Sequence, residues 1–266
     1  MEQFLPVFFV MAMGLALLLY VILDGFDLGV GLLLPQATET EKDIMIASIG
    51  PFWDANETWI VLGIGILLIA FPMAQGIILS ALYLPVTLML FGLILRGVAF
   101  DFRVKAGDAH KQRWNRMFFL GSLIAAMSQG WMLGAYITGL DAGLTNTLFA
   151  ALIALTLPAL YVMLGAGWLL IKTEGELFDK AVRWARMALP AMGLALILVS
   201  IATPIVSTEI AARWFTLPNA IGLLPIPVSC LVAYFALYRL LGRPEYLRDN
   251  NNWVVYALLV LICLMA

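Results

Sequence analysis

Charge is scarce in this chain: only 12% of its 266 residues are Asp, Glu, Lys or Arg, about half the share usual in a soluble domain. Histidine is nearly absent, with His110 standing alone, so the imidazoles that metal and haem sites draw on have no source inside an apolar segment. Cys230 and Cys263 lie singly in apolar runs, which leaves neither a CxxC metal site nor a disulfide framework. A formal charge of −2 lacks the basic excess of a nucleic-acid-binding surface, and no nucleic-acid partner is expected. Nor is there a P-loop, a dinucleotide fingerprint or a nucleophile-and-base motif. No catalytic residue and no metal-ligand set is assigned, and the thirteen Met read as packing residues.

What the chain has in excess is hydrophobicity: 63% of residues are apolar and the mean hydropathy is +0.99. Runs long enough to cross a bilayer recur throughout, which predicts an all-α, polytopic membrane protein with about eight transmembrane helices. The expected spans are 5–34, 57–73, 77–100, 117–139, 147–171, 187–206, 217–239 and 252–266. The first run has neither a basic leader nor a small-residue cleavage site and reads as a retained helix. The last is short, so more chain is expected to follow in the native protein. Arg103, Lys105, Lys111, Arg113 and Arg116 concentrate in one loop, Lys172, Lys180, Arg183 and Arg186 in another, and Arg239, Arg243 and Arg248 in a third. These loops should be cytoplasmic, which puts the N-terminus on the outer side of the membrane. Four spans on either side of the 140–146 turn predict two four-helix bundles, residues 1–140 and 141–266, in parallel pseudo-repeat.

Polar residues within such runs are informative because lipid cannot satisfy them. Asp24, Asp27 and Gly31 fall at i, i+3 and i+7 on one helical face, and Gly25 and Gly29 form a pair that lets another helix approach closely. The two carboxylates are either proton-path groups or, near the cytoplasmic edge, simply solvated. The cluster Trp53-Asp54-Ala55-Asn56-Glu57-Thr58-Trp59 precedes an apolar span. It is either a functional patch or an acidic helix start anchored at the interface by Trp53 and Trp59. Arg96 lies about two turns inside the boundary marked by Asp101 and Arg103, where it must snorkel or meet an anion.

In this order and spacing, Asp24-Gly-Phe-Asp27-Leu-Gly-Val-Gly31, Ile49-Gly-Pro-Phe-Trp53-Asp54-Ala-Asn56-Glu57-Thr-Trp59, Ala70-Phe-Pro72, Arg96-Gly-Val-Ala-Phe100-Asp101-Phe-Arg103 and Arg113-Trp114 resemble subunit II of cytochrome bd-type ubiquinol oxidases, including the cyanide-insensitive branch. The resemblance covers most of the first 120 residues; beyond them it is mainly one of hydropathy, with Thr173-Glu-Gly-Glu176 its clearest local sign.

The resemblance implies a haem-free subunit of a terminal quinol oxidase that reduces dioxygen to water. Haems b and d would sit in a partner subunit I, with a small single-helix subunit as a further partner, quinol as the substrate of the complex, and lipid around it. It implies proton-path roles for Asp24, Asp27, Asp54 and Glu57, and a quinone or subunit boundary near Trp53, Asn56 and Trp59. Arg96, Asp101 and Arg103 would contact haem propionates or the partner. Phe52 stands where some relatives have His, and Glu57 where some have Gln, which weighs against a bound structural quinone. The rival expectation is an ion-coupled secondary transporter that uses Asp24 and Asp27 in a first helix unwound at its glycines.

Overall fold

A computed structural model describes residues 4–265, and within them the chain is almost wholly helical. Long apolar runs have no alternative, since every backbone N–H and C=O in lipid must be satisfied within its own segment. The helices are α1 (Phe4–Leu33), α2 (Glu39–Ile49), α3 (Trp53–Ala70), α4 (Pro72–Ala81), α5 (Tyr83–Lys105), α6 (Asp108–Ile137), α7 (Leu144–Lys172), α8 (Gly175–Val206), α9 (Thr208–Phe215), α10 (Asn219–Leu223), α11 (Pro225–Leu241), α12 (Pro244–Tyr246) and α13 (Trp253–Met265). Among the described residues seven helical stretches are long and apolar enough to cross a membrane, and α4 and α13 are shorter apolar helices.

Several boundaries depart from the sequence expectation. The loops expected at 101–116 and 172–186 are mostly helix: α5 continues to Lys105 before α6 starts at Asp108, and α8 starts at Gly175. Their polar ends carry the helical hydrogen bonding past the apolar run. Gly175 has φ +64, a left-handed turn that Gly adopts at little cost. The span expected at 77–100 is divided between α4 and α5 at Leu82, and the turn expected at 74–76 lies inside α4. Pro72 opens α4 at a first-turn position where its missing N–H costs nothing. The short helices α2 and α9 occupy segments read as loops. A capping box starts α2, with the Glu41 carboxylate accepting from Thr38 N–H at 2.8 Å and Thr38 Oγ1 accepting from Glu41 N–H at 3.4 Å. The expected last span, 252–266, agrees with α13 except for Ala266, which lies outside the described residues.

The first helix organises the bundle. Its N-terminal residues Phe4–Met11 are exposed, whereas the stretch from Asp24 to Leu33 is buried on every side. It is a continuous α-helix through Gly25, Gly29 and Gly31, contrary to the unwound helix that the transporter expectation requires.

Small residues make this enclosure possible. A Cβ on Gly29 would stand 1.8 Å from the Tyr161 carbonyl oxygen, and one on Gly165 would stand 2.4 Å from the Gly29 carbonyl carbon, so α1 and α7 cross backbone to backbone. On the neighbouring face, a Cβ on Gly31 would meet Ser122 Oγ of α6 at 2.2 Å. This is the close small-residue packing that membrane helices use where no hydrophobic force distinguishes a neighbouring helix from lipid. The buried core runs without interruption from α1 through α7 to α13.

Candidate functional site

The enclosed part of α1 carries two carboxylates into the middle of the bundle. Asp24 and Asp27 are both 0% exposed, which removes the reading of Asp24 as a solvated group at the membrane edge. From α5, Arg96 enters the same space and is itself buried. Its Nη2 donates to Asp24 Oδ1 at 2.7 Å and also to Glu57 Oε1 of α3. Arg96 therefore does not snorkel: its guanidinium joins α1, α3 and α5. An ionised group in such a place persists only when it is paired, and removing one partner of a buried pair costs about 3–5 kcal/mol.

Asp27 is held differently. The Asn56 side-chain amide donates to Asp27 Oδ2 at 2.8 Å and to the Leu23 carbonyl at 3.2 Å. A neutral donor holds this carboxyl, so a proton can join or leave it without breaking an ion pair. Asp24 Oδ2, Asp27 Oδ1 and Arg96 Nε and Nη1 are buried without a hydrogen-bond partner among the described residues.

The start of α3 leads outward from this cluster. Glu57 is partly exposed, with 28% of its side chain accessible, and Asp54, one turn earlier, is exposed. Asp54, Glu57 and Asp24 thus form a series of carboxyls from surface to interior. Trp53 packs against Phe100 with ring centroids 5.0 Å apart and lies 6.0 Å from the Arg96 guanidinium carbon, closing that side of the cluster. Trp59 is half-buried further along α3.

The structure separates the other two members of the Arg96 motif. Asp101 is exposed. Arg103 is buried and works within the chain, with Nη1 donating to Asp43 at 2.6 Å and Nε to Asn115 Oδ1 at 2.5 Å, while Asn115 donates to Glu39 at 3.1 Å. These groups belong to a layer of ion pairs around α2, where Lys42 meets Glu39 and Lys180 meets Glu41, each at 2.7 Å. The Lys42 hydrogen bond holds the Glu39 carboxyl below its ordinary range, and the Lys180 hydrogen bond does the same for Glu41.

One polar chain was absent from the sequence reading. The Tyr161 hydroxyl on α7 donates to Gln129 Oε1 on α6 at 2.5 Å, and Gln129 Nε2 donates to Tyr20 Oη on α1 at 2.7 Å. Tyr20 lies one turn before Asp24 on the same face of α1. The available signal was a lone Gln in an apolar span together with a Tyr four residues before an Asp.

Among the described residues no group of three or more His, Cys, Asp and Glu is placed to hold a metal ion. His110 is exposed at the start of α6, away from the enclosed cluster. The quinone expectation meets a specific obstacle, because both amide hydrogens of Asn56 are already committed to Leu23 and Asp27.

A sequence model of the family described as "Cytochrome bd terminal oxidase subunit II" matches residues 5–266. Over 190 residues, 66% of this chain and 55% of the relative, the chain is 33% identical to a Bacillus subtilis (strain 168) protein named "Cytochrome bd ubiquinol oxidase subunit 2". It is 30% identical over 192 residues, again 66% of this chain, to the Escherichia coli (strain K12) "Cytochrome bd-I ubiquinol oxidase subunit 2", covering 51% of it. A Haemophilus influenzae "Probable cytochrome oxidase subunit 2" is 30% identical over 175 residues, 59% of this chain and 46% of that protein. The chain thus spans about half the length of the curated relatives it matches.

Proposed function

The chain belongs to the cytochrome bd terminal oxidase subunit II family, and from that premise we propose that it serves as the haem-free subunit of a quinol oxidase that reduces dioxygen to water. Its partner in this reading is a haem-bearing subunit I that holds haems b and d, joined in the complex by a small single-helix subunit. This chain steadies the partner and supplies carboxyl groups to a cytoplasmic proton route. The observation that carries the reading is the enclosure of Asp24, Asp27 and Arg96 among α1, α3 and α5, with Glu57 at its edge. Three carboxyls face one guanidinium, so acidic sites outnumber compensating charges and the cluster can carry an exchangeable proton.

In this reading Arg96 fixes Asp24 as an anion, Asp27 is the group that gains and loses a proton, and Glu57 and Asp54 connect it to the outer face of α3. That face is the place for subunit I, because Asp54 and Glu57 sit at the head of a membrane-crossing helix where lipid offers them nothing. Arg103 and Asp101 lie nearer the cytoplasmic surface, and Arg103 is already engaged by Asp43 and Asn115 through Nη1 and Nε. The exposed Asp101 is the better placed of the two for a partner contact. A structural quinone finds no free donor on Asn56, and no step is assigned to one. The basic ends of α5, α7, α8 and α11 face the cytoplasm of a bacterial inner membrane, which leaves the start of α1 on the periplasmic side. Residues 1–140 and 141–266 are the two pseudo-repeated halves, sharing one core.

Co-purification tests this. Membranes expressing the chain with its genomic neighbour should show reduced-haem absorption bands, and the purified complex should contain the neighbouring polypeptide. A chain that purifies alone, without haem, and drives ion-coupled uptake in vesicles is instead a transporter.

A further inference from the structure

Away from the acidic cluster, the middle of α8 and the C-terminal end of α11 line a cleft of about 510 Å³. Three of the residues that line it are arginines, Arg186 from α8, Arg239 from the last turn of α11, and Arg243 just beyond it. Leu189, Pro190, Tyr234, Tyr238, Leu241 and Gly242 line the remainder. Among the described residues none of the three arginines forms an ion pair. Asp179, two turns before Arg186 on α8, is paired with Arg248 at 2.5 Å.

The cleft is held open by specific contacts. Arg186 Nε donates to the Leu241 carbonyl at 2.5 Å, capping the end of α11 and leaving the terminal nitrogens of the guanidinium to the cleft. The Tyr234 hydroxyl donates to the Leu189 carbonyl at 3.3 Å, and its ring fills the space beside Gly193, where a Cβ would stand 2.6 Å from the Tyr234 oxygen. Helix α11 is therefore seated on α8 at a fixed height, with the cationic groups grouped at one mouth and an apolar floor below.

A basic concavity between transmembrane helices on the cytoplasmic side is the site at which phosphate headgroups are recognised. Guanidinium groups suit phosphate because they offer parallel N–H donors to its oxygens. The second basic cleft of this chain makes the contrast. It holds about 290 Å³ and is lined by Arg103 and Lys111, but Asp43 already pairs with Arg103 at 2.6 Å and lies 4.0 Å from Lys111. There the chain supplies its own anion, whereas the α8–α11 cleft has none.

We propose that Arg186, Arg239 and Arg243 bind the phosphate headgroup of an anionic phospholipid, whose acyl chains lie along Tyr234, Tyr238 and Pro190. The headgroup clamps α11 against α8 at the cytoplasmic surface. This inference depends only on the chain spanning a membrane with this cleft at the cytoplasmic face, and its test is independent of oxidase activity.

Native mass spectrometry of the protein purified from its own membrane reads the retained lipid directly. The expected result is a retained anionic phospholipid, lost by roughly fivefold per arginine in Arg239→Gln and Arg243→Gln and largely kept in the double Lys variant, which preserves charge and shows that loss is not misfolding. Arg213→Gln, in α9 on the other side of the membrane, should retain as much lipid as the unaltered chain. In phosphatidylcholine nanodiscs, added anionic phospholipid should raise thermal stability of the unaltered chain and not of the double Gln variant. Inorganic phosphate should not reproduce that rise. Equal lipid retention by the double Gln variant overturns the proposal, as does equal protection by inorganic phosphate alone. Efficient cross-linking of an Arg243→Cys variant to a second polypeptide also overturns it, because the cleft would then hold a protein side chain.

Discussion

Asp24 and Arg96 are separated by 72 positions in the chain and by 2.7 Å in the interior of the bundle. Their pairing fixes α5 to the enclosed part of α1, and the Arg96–Glu57 contact extends it to α3. The consequences of disturbing this arrangement differ from one residue to the next.

Replacing Arg96 by Gln strands Asp24 without a counter-charge in a space closed to water. The expected cost is about 3–5 kcal/mol, large against the stability of a folded domain, so little folded protein should be recovered. Arg96→Lys keeps the charge but presents one compact donor group in place of a planar fork serving two carboxylates. It should fold with a lowered melting temperature. Fluorescence-detected size exclusion after graded heating orders unaltered chain, Lys variant and Gln variant, in that sequence.

The α1–α7 crossing predicts a sharp contrast between two glycines of the same helix. Gly29→Ala places a methyl group 1.8 Å from the Tyr161 carbonyl oxygen, which forces the helices apart. Gly14→Ala meets nothing within 4 Å and should leave packing unchanged. Thermal unfolding in detergent should show a substantial loss for the first and none for the second.

Removing the Tyr161 hydroxyl with Phe leaves Gln129 Oε1 buried without its donor. An unmet acceptor of this kind costs about 1–3 kcal/mol, so the predicted destabilisation is smaller than that of Arg96→Gln. Gln129→Leu removes donor and acceptor together and should cost no more than Tyr161→Phe plus the loss of the Tyr20 contact. Chemical denaturation of the two variants and their combination checks whether Tyr161, Gln129 and Tyr20 act as one unit.

Acid should loosen the layer of ion pairs around α2 before the bundle. The Lys180 hydrogen bond holds Glu41 below its ordinary carboxyl range, and Lys42 holds Glu39 below its own. A depressed folded-state pKa gives stability that is present above the unfolded carboxyl range, near about pH 4, and lost as pH falls through the lower folded value. Hydrogen exchange of the α2 amides should therefore quicken on acidification, and Glu41→Gln should show fast exchange already at neutral pH.

Much of this was legible in the sequence for a plain physical reason. Asp24 and Asp27 interrupt an apolar run, and a charged group there must turn away from lipid; spacing puts both on one face of α1 but leaves open whether that face meets protein or water at the membrane edge, which their burial decides. The identity of their partners did not follow. Whether Arg96 meets Asp24, a partner subunit or the interface depends on the relative height of α1 and α5, which the close approaches of Gly29, Gly31, Gly92 and Gly121 to neighbouring backbone or side-chain atoms help to set. Gln129 needs a partner for the same reason, but nothing in its spacing points to Tyr161 or Tyr20. Helices α2 and α9 were hidden by their mixed polarity and short length, and the break between α4 and α5 falls at Leu82, a residue with no turn character.

The central claim is that Asp27 carries a proton for chemistry performed in a partner subunit. Oxygen consumption by the purified complex with Asp27→Asn, measured beside its haem content, tests this most directly, because Asn preserves the size of the side chain and the Asp24–Arg96 pair is untouched. The account predicts markedly slower turnover with haem content unchanged. Full turnover in that variant would contradict it and make Asp27 a packing residue.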